Sequence, residues 1–81
     1  MNSLEAIRDK IQKLYHTDPH IRINVTLTRS RIELKDEPVT IKGVYRHIFQ
    51  IEEQSSGAPK THTLQYSDIL IGHIEILDSK F

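Results

Sequence analysis

Apolar residues fall at Leu4, Ile7, Ile11 and Leu14 in the first segment, "NSLEAIRDKIQKLYH", and steps of three and four predict an amphipathic helix with Tyr15 beside its stripe. Asn2 or Ser3 can cap it, and Asn2 has Glu5 three residues on. Glu5–Arg8 and Asp9–Lys13 are favourable pairs for the outer face. A helix of this length is marginal alone in water, so its stripe must dock on something. Pro19 disfavours helical geometry at Asp18, which sets the helix over 1–18.

Beyond Pro19 the period falls to two. Ile21, Ile23, Val25 and Leu27 alternate with Arg22, Asn24, Thr26 and Thr28, the pattern of a strand with one buried and one wet face. "TRS" supplies a turn. Ile32 and Leu34 begin a second strand, but Val39 and Ile41 fall on the opposite parity, so "KDEP" must hold a bulge or sharp bend, with Pro38 at a non-pairing position. A tight reversal is expected at Arg46-His47, then a third strand with Phe49 and Ile51 inward. "QSSGAPK" reads as a loop, "THTLQY" as a fourth strand, and "GHIEIL" as a fifth with Ile74 and Ile76 on one face. The fold expected is mainly β: an N-terminal helix and then, over 20–81, a five-stranded antiparallel SH3-like or Sm-like small barrel in one domain.

With 81 residues, 37% of them hydrophobic, the chain is at the small end of what sustains a core, so modest stability or help from self-association is expected. There is no cysteine, which excludes disulfides and thiolate chemistry, and no apolar run approaches the roughly 18 residues of a membrane span. The charged start "MNSLEAIRDKIQ" is unlike a signal peptide, and the expected location is cytoplasmic. Formal net charge is zero, against a strongly basic nucleic-acid binder. The charge is unevenly spread: residues 22–49 carry six basic side chains and three acids, whereas 50–81 carry two and five.

Candidate chemistry is sparse. His16 and His20 have a metal-ligand spacing, but Pro19 lies between them; the other histidines are isolated, and no metal or cofactor is expected. No nucleophile elbow, P-loop or dinucleotide fingerprint is present. Glu52 and Glu53, being adjacent on a strand, point to opposite faces and cannot form a catalytic carboxylate pair. Enzymatic activity is therefore not expected. Arg29 and Arg31 flank the first hairpin turn, with Arg22 and Lys35 near; Arg22, Arg29, Arg31 and Arg46 are the candidate partner-binding residues, suited to an acidic protein surface or, less well, to phosphates. Tyr45, Phe49 and Tyr66 read as core or half-core rather than as a stacking platform. In "LQYSDILIGHIEIL", Ser67-Asp68 breaks the alternation; a single 3₁₀ turn is expected there, with Ser67 or Asp68 as a structural cap rather than a catalyst.

The order and spacing of "VTLTRSR", "IKGVYRHIFQIEE" and "LQYSDIL" resemble the Veg family of small proteins of low-G+C Gram-positive bacteria, from about Val25 to Ile76. The resemblance implies an SH3-like barrel behind a helix and a non-enzymatic regulatory role: stimulation of biofilm formation by antagonising a DNA-binding transcriptional repressor. The family's first turn usually holds a glycine and a denser basic run, where this chain has "TRSRIELK" with Glu33 interrupting. The first alternative is an Sm-like RNA-binding protein, against which stands Asp68, whose carboxylate repels phosphate at the turn that would hold RNA. The second is a structural homodimer or complex subunit, in keeping with zero net charge and an exposed barrel edge.

Overall fold

In the computed structural model, which describes residues 3–54 and 57–77, the first segment forms α1 (Ser3–Thr17). Ile11 and Leu14 are buried, Ile7 packs against the same core, and Leu4 at the start of the stripe stays half-exposed. The cap expected at Asn2 or Ser3 lies outside the described side chains. At the other end the Asp18 N–H still reaches the Leu14 carbonyl at 2.8 Å, and then Pro19 ends the helix. The Asp18 carboxylate accepts the His20 N–H, and the Pro19 carbonyl accepts the Ile41 N–H at 2.9 Å. The link from helix to sheet is thus tied to both strands that follow.

β1 (His20–Leu27) buries Ile21, Ile23, Val25 and Leu27 and turns Arg22 and Thr26 outward, as its alternation requires. β2 (Ile32–Val44) runs back along it. The parity change across "KDEP" is a bulge: Ile23 pairs with Glu37 and Val25 with Leu34, so Lys35 and Asp36 together oppose Asn24. Asp36 takes a left-handed φ of 49° there. Pro38, expected at a non-pairing position, instead stands in the ladder opposite Arg22. It lies beyond the last residue matched by the next strand, since pairing with β3 begins at Val39, so its missing N–H deprives no neighbour on that side.

β2 and β3 (Ile48–Glu53) are joined by the reversal at Arg46-His47, closed by Tyr45 N–H to the Ile48 carbonyl at 2.9 Å. β4 (Lys60–Gln65) pairs with β3 over its whole length. A short helix, α2 (Tyr66–Leu70), leads to β5 (Ile74–Ile76), which returns to pair with β1. The sheet order is β4-β3-β2-β1-β5. Phe49, Ile51, Leu64, Ile74 and Ile76 complete a core to which α1 gives Ile11 and Leu14, each such side chain contributing about 1.5–3 kcal/mol by leaving water.

Two expectations are corrected. The sheet is not closed into a barrel: β4 and β5 are its two edges, and no pairing joins them among the described residues. Closure fails because β5 is only three residues long and committed to β1, while the chain between β4 and β5 is wound into α2, which packs against α1. The connection is also not a single 3₁₀ turn. It is a five-residue α-helix in which the Ile71 N–H reaches the Ser67 carbonyl at 3.1 Å. No helix of the described residues is long and apolar enough to cross a membrane.

Candidate protein-contact surface

The first hairpin turn spans Thr28 to Arg31, closed by the Arg31 N–H to the Thr28 carbonyl at 3.3 Å. Arg29 and Arg31 are both exposed on it, and among the described residues neither guanidinium has an ion-pair partner. Arg31 holds a φ of 53°, a left-handed conformation that a non-glycine residue adopts at a cost. At this position the chain bears an arginine in a backbone shape that suits glycine.

Arg22 is differently placed. It projects from the outer face of β1, and its Nε and one Nη grip the Asp36 carboxylate at 2.7 and 3.2 Å, with a further contact to the Asp36 carbonyl. The hydrogen bond from Arg22 holds the Asp36 carboxyl below the usual carboxylate range, and the same bond raises the arginine. The fork-shaped guanidinium therefore clamps the bulge. Arg46 sits in the β2–β3 reversal, at the far end of the 13-residue β2 from Arg31. The four candidate arginines do not form one patch: Arg29 and Arg31 share a turn, Arg22 is engaged in the sheet, and Arg46 stands at the other end.

Around Arg46 lies a cleft of about 550 Å³ between the start of α1, the reversal and the start of α2. Arg8 of α1 and His47 join Arg46 on it. Neither was marked by the sequence pattern: Arg8 reads as an outer-face partner for Glu5, and it does approach Glu5 at 3.9 Å, while His47 reads as a turn residue. The packing of α1 against α2 and β2 brings them together. The cleft floor includes Tyr66, whose ring stacks on Phe49 with centroids 5.5 Å apart and whose hydroxyl donates to the Tyr45 carbonyl at 2.5 Å. Burial pushes the Tyr66 hydroxyl above its ordinary pKa. Tyr45 departs from the core role expected of it: it is 52% exposed, with its ring over Gly43, where an added Cβ would stand 2.8 Å from the ring.

Neither Ser67 nor Asp68 is the cap expected of them: Gln65 holds the N-cap position of α2, no side chain caps the helix, and Ser67 and Asp68 both lie inside its first turn. Gln65 precedes the helix, and the Ser67 hydroxyl donates to the Gln65 side-chain carbonyl at 3.2 Å. Asp68 is 5% exposed, so it offers little surface to a substrate or partner. Glu52 and Glu53 point to opposite faces: Glu52 meets Lys42 and Gln54, whereas Glu53 meets His62 at 2.5 Å. His20 is bound to the Thr40 hydroxyl at 3.0 Å, and among the described residues no group of three or more acidic or histidine side chains is placed to hold a metal.

No curated protein and no solved structure matches the chain. One family model does, that of the biofilm formation stimulator VEG, and it aligns with residues 2–77, nearly the full length. The helix, the bulged second strand, the basic turn and the short helix before β5 all fall within those residues, and the chain belongs to the VEG family of biofilm formation stimulators.

Proposed function

We propose that this chain is a non-enzymatic cytoplasmic regulator that stimulates biofilm formation through protein contact, by engaging and antagonising a DNA-binding transcriptional repressor. The observation that carries the reading is the pair of exposed arginines at the tip of the first hairpin, without ion-pair partners among the described residues, in a chain of the VEG family. Arg29 and Arg31 present ten N–H donors between them on a rigid scaffold, suited to carboxylates on a protein surface. Arg22, clamped to Asp36, shapes the strand beside them. A meander whose last strand returns to the first through one short helix also supports reading the fold as an opened relative of the SH3-like barrel.

The test is co-purification from cells of the source bacterium, followed by a DNA-release assay on any DNA-binding protein recovered. The reading expects such a protein to lose its DNA as the chain is added, and to keep it when the Arg29→Glu, Arg31→Glu variant is added. Release of DNA by the wild type and the variant alike would remove the basic turn from the mechanism.

A further inference from the structure

The cleft beneath Arg46 carries an inference of its own, which rests on the protein-contact reading but concerns a second place on the molecule. Its rim is basic. Arg46 and His47 are exposed, and among the described residues neither side chain has an ion-pair partner. Among the described residues the ion-pair contact of Arg8 is the 3.9 Å approach of Glu5, which is itself 61% exposed. A pair that open to water is worth at most about 1 kcal/mol, so an incoming carboxylate can replace Glu5 at little cost. In a chain with no net charge, Arg8 and Arg46 against Glu5 leave this cleft with a local excess of cations, as Arg29 and Arg31 do at the first hairpin turn.

The apolar part of the lining is half-exposed Leu4 and partly buried Ile48, with Tyr66 largely buried beside them. Gln65 and Ser67 add neutral hydrogen-bonding groups on one side. At about 550 Å³ the cleft is in the size range of sites that take small molecules and side chains of short peptides. A nucleobase is a poor fit, because Tyr66 is 3% exposed, with one face stacked on Phe49, and stacking is what holds unpaired bases. A phosphate would satisfy the arginines and leave the apolar floor unused.

We infer that this cleft binds an acidic segment of a protein partner, with one aliphatic side chain on the Leu4–Ile48 floor and flanking carboxylates against Arg8, Arg46 and His47.

The full chain, ¹⁵N-labelled, is titrated with the capped pentapeptide Asp-Glu-Leu-Glu-Asp, with its neutral counterpart Asn-Gln-Leu-Gln-Asn, with inorganic phosphate and with oligouridylate. Saturable shifts are expected around Arg8, His47 and Ser67 with the acidic peptide, weakened at least tenfold in Arg8→Gln, Arg46→Gln and with the neutral peptide. Absence of saturable shifts at the cleft, equal affinity in the double variant, or saturation by phosphate or oligouridylate but not by the peptide each overturns the inference. The neutral peptide keeps the result readable if the double variant folds poorly. Loss of DNA release in Arg29→Glu, Arg31→Glu with no peptide bound at the cleft would sink this inference and leave the proposed function standing.

Discussion

The side-chain carbonyl of Asn24 accepts the N–H of Asp36 at 2.7 Å, across the bulge in β2. A bulge frees a backbone donor from the ladder, and Asn24 is the residue that Lys35 and Asp36 together oppose. Its amide then donates to Glu75 on β5 at 3.0 Å, so one side chain on β1 holds both neighbouring strands. Asn24→Ala is expected to cost about 1 kcal/mol in urea unfolding, the value of a net hydrogen bond at a site water can reach. Glu75→Ala, which leaves the Asn24 acceptor for the Asp36 N–H and removes the partner on β5, should separate the bulge bond from the β5 bond.

The clamp on that bulge is pH-dependent, and its sign follows from Asp36. Its carboxyl pKa is lowered below the ordinary 3.8 by the hydrogen bond from Arg22, so the folded state holds the proton less tightly than the unfolded chain. The contribution is fully present above the ordinary carboxylate range and is lost as pH falls through the depressed value. The stability difference between wild type and Arg22→Gln should hold steady from about pH 5 upward and shrink below about pH 4. Both side chains are more than half exposed, so added salt should reduce the difference as well.

α2 is ended by Gly72. The His73 N–H reaches the Asp68 carbonyl at 2.9 Å and the Gly72 N–H the Ile69 carbonyl at 3.2 Å, while Gly72 holds a φ of 88°. This is the Schellman arrangement, in which a left-handed residue satisfies the last carbonyls. Nothing lies within 4 Å of an added Cβ, so Gly72→Ala tests the backbone alone and should lower stability by about 1–2 kcal/mol. At the other end, Asp68→Ala is expected to cost up to about 1 kcal/mol, as loss of a first-turn carboxylate does. Unchanged melting with lost biological activity would instead make Asp68 a functional residue.

Arg31 allows charge to be separated from fold at the basic turn. Its φ of 53° is one that glycine adopts freely. Arg31→Gly should therefore leave the melting temperature level or slightly raised while removing a cation, whereas Arg31→Val, whose β-branch suits this φ worse than the arginine does, should lower it. Thermal unfolding of the two variants checks this directly.

Much of the scaffold was legible because it depends on local period. The stripe Leu4-Ile7-Ile11-Leu14, the alternation from Ile21 to Leu27, and the parity slip across "KDEP" each report a structure made by neighbours in the chain. Closure of the sheet was not legible, since it depends on whether β4 and β5 meet, and no local pattern encodes that. "LIGH" did contain a readable signal for the end of α2: a glycine directly after the apolar run. Arg8 and His47 are 39 residues apart, and only tertiary packing puts them on one cleft. Asn24 reads as an ordinary outward residue because its two partners, Asp36 and Glu75, lie 12 and 51 residues away.

Biofilm mass is the most direct measurement of the central claim, in cells lacking this chain and complemented with the wild type, with Arg31→Gly, or with Arg29→Glu, Arg31→Glu at matched protein levels. The wild type should restore biofilm, the single loss of charge should restore part of it, and the double reversal should restore none while melting like the wild type. Full restoration by the double reversal would contradict a function exercised through the basic turn.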